Sequence, residues 1–424
     1  MASPRLRLAL AISLSVLPAV GLAEAPASGL EEVVVTAQRR LQSAQDVPIA
    51  ITAFSADALA NLGVKSSDQL ATFTPNLTWV PSGAVGASVG IRGVVDTNLT
   101  TNQVGSVAIV VDEVSLNSPA LNTFPVFDLN RVEVLRGPQV ALYGRSTTGG
   151  AINFVTNRPE VGGEVNGRVG LSLGNYHDVN FDGAIGAPLG DKAAVRLAVL
   201  SDKRDGVYRD PTLGHDVGTK DQQAARLSFA ANPTDNFSVF ASFFFGRDRS
   251  DGPYYKNVGS RNPDGTACAP ASSNPGGPCV DGAGFRDSAS FNQVFSDFQA
   301  MQHVDVYGGL VNLKWRINDM SLTSITSIYK NTFQLMEDVD GGPASLSEVH
   351  VDAVTKQTAE ELRLASEHGA DAPVNWIVGA YFFKETQDGL TAQLTRTRQT
   401  QPQPFPPPTW FPPIPQFRDR KSVV

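Results

Sequence analysis

Charge is scarce in this chain. Lys, Arg, Asp and Glu make up 18% of its 424 residues, well under the usual quarter. Coiled coils and long helical bundles consume Glu, Lys and Leu, so the shortage argues against them. There is no basic excess either. The formal net charge is −8 and the pI is near 5.2, so no nucleic-acid partner is expected. After residue 20 no apolar run reaches the roughly 18 residues of a membrane-spanning helix. That absence leaves β-barrels open, because their strands carry no such run. Only two cysteines exist, Cys268 and Cys279, and the five histidines (177, 215, 303, 350, 368) are scattered. No zinc-like spacing joins them, so neither metal nor cofactor is expected. A nucleophile elbow, a P-loop and a dinucleotide fingerprint are also missing. Acidic neighbours occur at Asp112/Glu113 and Glu360/Glu361, but adjacent strand residues face opposite ways and cannot flank one bond. The chain does not read as an enzyme.

What is abundant is Gly (38), Pro (28) and Phe (22), which with short apolar stretches points to β structure. At the start, Arg5 and Arg7 precede an apolar run from Leu8 to Val20, followed by Gly21-Leu22-Ala23. A charged start, a short apolar run and a small-residue exit predict a signal peptide over 1–23, cleaved after Ala23. In an oxidising compartment Cys268 and Cys279, in a Pro/Gly/Asn-rich stretch, read as a disulfide stapling one loop.

The chain divides near Pro159. Residues 24–45 form a polar tether with one β-favouring knot, Glu31-Glu32-Val33-Val34-Val35-Thr36-Ala37. The knot reads either as a strand added to a partner's sheet edge or as an edge strand of the following domain. Residues 46–157 read as a small α+β domain. Val47–Phe54 is a strand, Ser55 caps a helix through Leu62, and a second helix over Asp68–Phe73 stops at Pro75. Further strands are predicted at 89–95, 107–114, 132–135 and 151–156. From residue 163 the period is two, with nine strands predicted between 163 and 387 and the weakest alternation at 355–366. Short turns at 188–192, 232–236, 317–320 and 369–374 alternate with longer polar loops at 203–219, 248–300 and 338–354. Strands linked alternately by turns and long loops mark an outer-membrane barrel in contact with lipid. A secreted β-rich binding protein is the remote alternative, but a sandwich has no reason to gather its long loops at one end. Residues 388–424 are a Pro-rich end, with eight prolines over 401–416, unfit for a central ladder.

Several of these pieces resemble one family. Glu31–Ala37 looks like the TonB box of TonB-dependent outer-membrane receptors. Gln45–Phe54, Ile91-Arg92-Gly93, Val107–Val114 and Arg131–Gln139 resemble successive stretches of their plug. Leu142–Arg145 with Gly149–Asn153 resembles its closing stretch, and Glu360–Leu364 and Trp376–Tyr381 look like barrel strands. The resemblance implies a plug domain inside an antiparallel transmembrane β-barrel of about 22 strands. It implies energised uptake of a scarce ligand, often a ferric siderophore, sometimes cobalamin or a glycan. The implied partner is TonB of the TonB-ExbB-ExbD complex, acting on Glu32, Val33, Val34, Val35, Thr36 and Ala37. Arg92 and Arg136 would pair with barrel carboxylates, Glu361 among them. Asp96, Asn98, Thr100 and Asn102 lie in a polar plug segment that reads equally as a ligand-touching apex loop or a solvated one.

A barrel of that size needs roughly 220 strand residues before any loop, whereas 264 residues follow Glu160, loops included. The expectation is an incomplete barrel, about nine of 22 strands, in the N-terminal part of a longer receptor or in a truncated, non-transporting fragment.

Overall fold

A computed structural model describes residues 34–36, 38–40, 42–82, 86–96, 105–116, 127–269, 276–367 and 374–395. The leader expected over 1–23 and the Pro-rich end at 401–416 lie outside them.

The first domain is built on a five-stranded sheet. Its strands are β3 (Ala50–Ser55), β7 (Val107–Val111), β8 (Val114–Leu116), β9 (Leu129–Arg136) and β10 (Gly150–Thr156). Their order is β3-β9-β10-β7-β8, with β7 parallel to β10 and the other pairs antiparallel. Helix α1 (Ala56–Asn61) starts where the sequence places it, because the Ser55 hydroxyl accepts the Ala58 N–H. The second predicted helix is a 3₁₀ turn, Ser67–Gln69, running into α2 (Leu70–Phe73), which ends before Pro75. A last short helix, α3 (Val140–Tyr143), precedes β10. The predicted strand 89–95 is broken at Arg92-Gly93, both at positive φ. It becomes β5 (Gly86–Ile91) and β6 (Val94–Val95), paired with β4 (Leu77–Ser82).

Alternation along β9 feeds two cores. Val132 and Val134 point into one with Phe54, Leu70, Trp79, Ile91 and Ile152. Leu135 points into the other with Val47, Ala108, Val110, Tyr143 and Ala151. Burying side chains the size of Leu70, Ile91 or Ile152 contributes about 1.5–3 kcal/mol each.

The rest of the chain is one antiparallel sheet of nine strands. In order they are β11 (Asn166–Gly174), β12 (Asp178–Pro188), β13 (Ala193–Arg204), β16 (Lys220–Thr234), β17 (Phe237–Asp248), β18 (Met301–Ile317), β19 (Met320–Asp338), β20 (Ser347–Ser366) and β21 (Ile377–Thr395). A small hairpin, β14 (Tyr208–Asp210) with β15 (His215–Val217), projects from the 205–219 loop. The last strands are longer than predicted: β20 begins inside the stretch read as a loop over 338–354, and β21 runs past the predicted end at 387. Among the described residues β11 and β21 do not pair with each other, so the sheet is open.

Side chains alternate across this sheet. Val169, Leu171, Ile185, Leu197, Phe243 and Ile328 stand exposed on the outer face. Arg196, Arg226, Ser242, Asn312, Asn331 and Arg363 are buried on the inner face against the first domain. An apolar outside and a polar inside is the arrangement of a lipid-facing barrel wall. Among the described residues no helix is long and apolar enough to cross a membrane.

The turns linking β12–β13, β16–β17, β18–β19 and β20–β21 lie at one end, and the long loops at the other. In the 249–300 loop Cys268 and Cys279 are bonded, their Cα atoms 6.1 Å apart. A ring of this size contributes about 3 kcal/mol, felt locally. Cys268→Ser is expected to speed proteolysis within 249–300 while leaving β17 and β18 protected. Mass-spectrometric mapping of limited-digestion fragments checks this, and loss of protection across the strands would contradict it.

Candidate coupling segment and plug–wall interface

The segment that resembles a TonB box is docked rather than free. Val34 and Val35 form β1, paired antiparallel with β2 (Gln42–Ser43). Val35 is fully buried in the second core, beside Val47 and Leu135. Thr36 is held by Glu133: the Thr36 N–H donates to Oε1 at 2.8 Å and its hydroxyl at 3.0 Å. Glu133 is itself wholly buried in the middle of β9 and also accepts from Arg131 Nε at 2.7 Å and Asn153 Nδ2 at 3.1 Å. Four donors on one buried carboxylate account for a charge at 0% exposure. The flexible tether expected over 24–45 is therefore ordered from Val34 on, wherever it is described. Glu32, Val33 and Ala37 lie outside the described residues.

Directly after the box, two arginines tie the domain to the strand wall. Arg39 donates to the Leu142 and Glu113 carbonyls at 3.1 and 3.3 Å and to the Glu113 carboxylate at 3.3 Å. It also stands 3.7 Å from Glu361 on β20, and its guanidinium lies 4.6 Å over the Tyr143 ring. Arg40 donates to the Trp376 carbonyl at 2.8 Å and to Ser366 at 3.1 Å. Ser366 ends β20 and Trp376 leads into β21, so the box emerges at the short-turn end. Glu113 sits in the tight β7–β8 turn at positive φ and bonds Arg363 of β20 at 2.8 Å, while Arg363 holds Glu361 at 2.9 Å. Burial alone would raise the Glu113 carboxyl, but Arg363 and Arg39 hold it below the usual range.

A second cluster grips the opposite side. Asp128, buried and at φ +50°, accepts two bonds from Arg196 of β13 at 2.8 and 2.6 Å. Arg226 of β16 reaches its carbonyl at 2.8 Å and its carboxylate at 3.4 Å. Asn157 donates at 3.0 Å, and Arg168 of β11 stands 3.9 Å away. Arg226 also covers the Phe127 ring at 4.8 Å. Burial works to raise the Asp128 carboxyl, yet Arg196 and Asn157 bring it below the ordinary 3.8. Between the two clusters, at the box end, lies a polar cavity of about 930 Å³ lined in part by Arg39, Glu113, Arg158 and Arg363.

The ion pairs expected of Arg92 and Arg136 are not made among the described residues. Arg92, in the β5–β6 turn, lies across Gly137, where an added Cβ would meet its Nη1 at 3.0 Å. That places it over the backbone that directly follows Arg136. The Arg136 Nε is buried without a hydrogen-bond partner. Glu361 does pair, but with Arg363 and Arg39. Asp96 follows β6 and is half-buried, while Asn98, Thr100 and Asn102 lie outside the described residues. Arg39, Glu113 and Asp128 carry the interface, and Glu133 holds the box, none of them marked as a site residue by local sequence pattern.

The profile of the TonB-dependent receptor plug domain matches residues 43–151, nearly the whole first domain. Residues 43–151 are a TonB-dependent receptor plug. The pesticin receptor of Yersinia pestis is 35% identical over 156 residues, covering 36% of this chain and 22% of that receptor. The fold of plug and strands together is similar to the ferric yersiniabactin uptake receptor of Yersinia pestis. The TM-score is 0.67 at 20% identity, over 82% of this chain and 50% of that one. It is similar also to the ferripyoverdine receptor of the outer membrane of Pseudomonas aeruginosa, with TM-score 0.63 at 15% identity, over 85% and 45%. The chain thus spans about half the length of these solved receptors. Its nine strands form part of the barrel fold that surrounds such a plug.

Proposed function

We propose that this chain is part of an outer-membrane receptor for TonB-driven uptake of an iron complex, most simply a ferric siderophore. The observation that carries this reading is a plug seated against the polar inner face of an outward-apolar sheet by two ion clusters. That seat is what a transport path stopped by a removable plug requires. The names of the similar receptors, for ferric yersiniabactin and ferripyoverdine, support iron-complex chemistry. Cobalamin or a glycan is the second ligand class of the same receptor type.

In this reading the box adds as a strand to the periplasmic domain of TonB, so main-chain hydrogen bonds supply the affinity. Val34→Pro removes an N–H and fixes φ near −65°. Capture of the chain by purified TonB C-terminal domain is expected to fall about tenfold, while ligand binding at the loop end is retained. Undiminished capture of the proline variant would contradict the coupling role of Val33–Val35. Radiolabelled ferric-siderophore uptake by receptor-deleted cells carrying the full-length receptor tests the transport role; retained uptake of a panel of siderophores after deletion of 31–37 would rule it out.

A further inference from the structure

The loop end holds carboxylates that no interaction described so far uses. Asp338, at the tip of β19, is 3% exposed, and Asp281 of the 249–300 loop is 7% exposed. One oxygen of each, Asp338 Oδ2 and Asp281 Oδ2, is buried without a hydrogen-bond partner, as is Asp297 Oδ1. Their other oxygens organise the loops. Asp338 Oδ1 accepts the Gly341 N–H at 3.2 Å. Asp281 Oδ1 accepts the N–H groups of Ala283 and Phe285, both at 2.8 Å. Asp340 accepts from Gly342, Leu346 and Ser347 at 3.1, 3.0 and 2.7 Å. The two loops meet here: Asn257 donates to the Asp340 carbonyl at 2.8 Å. Beside Gly342, Asp281 Oδ2 and Asp340 Oδ1 approach one point from two loops, 3.2 and 3.1 Å from where a Cβ would sit.

We propose that the contact between the 249–300 loop and the 339–346 turn is a proton-operated clasp, tight when Asp297, Asp338 and Asp340 carry protons and loose when they are ionised. The surrounding groups leave protons as the neutralising agent. On β19, Glu337 accepts from the Tyr255 hydroxyl. On β20, Glu348 accepts from Ser345 and faces His350 Nε2 at 3.2 Å. Within the 249–300 loop, Tyr254 adds no positive charge. Lys256 is committed to Asp287 at 2.5 Å and to the carbonyls of Ser288, Ser290 and Gln293. Among the described residues no three acidic, His or Cys side chains are arranged to hold a metal ion. A neutral carboxyl can instead donate to a neighbouring orphan oxygen and satisfy both.

The direction follows from burial. Asp297 lies above the ordinary 3.8, chiefly through burial and then Glu348. Asp340 is raised likewise, through burial with Asp281 adding to it. A raised folded value gives stability that is complete below the ordinary value and lost as pH rises through the raised one. Acid therefore closes the clasp. In a receptor it would stiffen the loops flanking the mouth opposite the box.

Hydrogen exchange on the full chain folded in detergent tests this. The amides of Gly341, Gly342, Leu346 and Ser347 should exchange about tenfold more slowly below about pH 4 than near pH 8, after correction for intrinsic rate. Asp338→Asn, measured at about pH 8, should show the slow exchange that wild type shows only in acid, since its amide donates as the carboxylic acid would. Asp297→Asn should do the same, and decides the matter should exchange in β18 and β19 show Asp338→Asn to be misfolded. Exchange in these amides that ignores pH overturns the proposal. So does neutral-pH exchange that both Asn variants leave unchanged. Tightening by millimolar Ca²⁺ at neutral pH, with acid inert, would replace it by a cation site.

Discussion

Asp128→Asn is expected to unseat the plug from the first half of the strand wall. Asn keeps the shape and tolerates the positive φ of this residue, so the change isolates the charge. What remains is Arg196 and Arg226, each 8% exposed, facing a neutral amide. Breaking a buried ion pair from one side costs about 3–5 kcal/mol, because the other charge stays buried unpaired. Every 1.4 kcal/mol is about tenfold in an equilibrium, so transient opening of the plug should rise at least a hundredfold. Trypsin reports it: cleavage after Arg131 and Arg136, slow in the folded wild type, should become fast in Asp128→Asn. Acid should mimic the substitution. The carboxyl value is depressed in the folded state, so its contribution is present above the ordinary 3.8 and lost as pH falls through the folded value. Pepsin, which works in acid and cuts beside large apolar residues such as Leu135, should find the same segment opening as the pH falls below about 4. Equal cleavage of wild type and Asp128→Asn at neutral pH would show that this cluster does not hold the plug.

How far the sequence goes is set by the range of the interactions. Period-two alternation located all nine strands of the sheet, because lipid on one side and a polar lumen on the other impose it residue by residue. It was weakest over 355–366, and the structure gives the reason. The inner face of β20 carries Thr355, Gln357, Glu361 and Arg363 for the plug, while the outer face carries Glu360, bonded by Ser324 and Thr326. With both faces polar, the period fades although β20 is the longest strand described. The helix at 56–61 and the broken strand at Arg92-Gly93 rest on local rules, and the first was legible for that reason. The ion clusters rest on none. Glu113 and Arg363 are 250 residues apart, and Arg226 is 98 from Asp128, distances no local spacing encodes. Arg92 and Arg136 drew notice because each precedes a glycine. That feature marks a turn but says nothing of which way the side chain leaves it. Glu133 did leave a signal: one acid between Val132 and Val134, all three fully buried. A charge in the middle of an apolar strand demands a partner, though sequence alone does not say that the partner is Thr36, 97 residues earlier.

That partner makes Glu133 the control point of the coupling segment. While Thr36 donates its N–H to Glu133 and Val35 fills the second core, neither can join a partner's sheet. In the proposed coupling, TonB pairing and plug docking would therefore compete for the same backbone. Glu133→Ala removes the acceptor and leaves Arg131 and Asn153 without it. The expected loss is about 3–5 kcal/mol of box docking and local plug stability together. Capture by the TonB C-terminal domain should then rise, by tenfold or more for every 1.4 kcal/mol that belongs to docking alone. Glu133→Gln keeps the volume and one acceptor oxygen but loses the charge, so it should fall between wild type and Ala. Trypsin cleavage after Arg39 should follow the same order, since its bonds to Leu142 and Glu113 form with the segment lying on the plug. The opposite order, or TonB capture identical in all three, would mean that the docked box is not what limits coupling. Protection of β10 against hydrogen exchange separates release of the box from collapse of the plug, because Ile152 and Phe154 pack in the other core and should stay protected when only the box has gone.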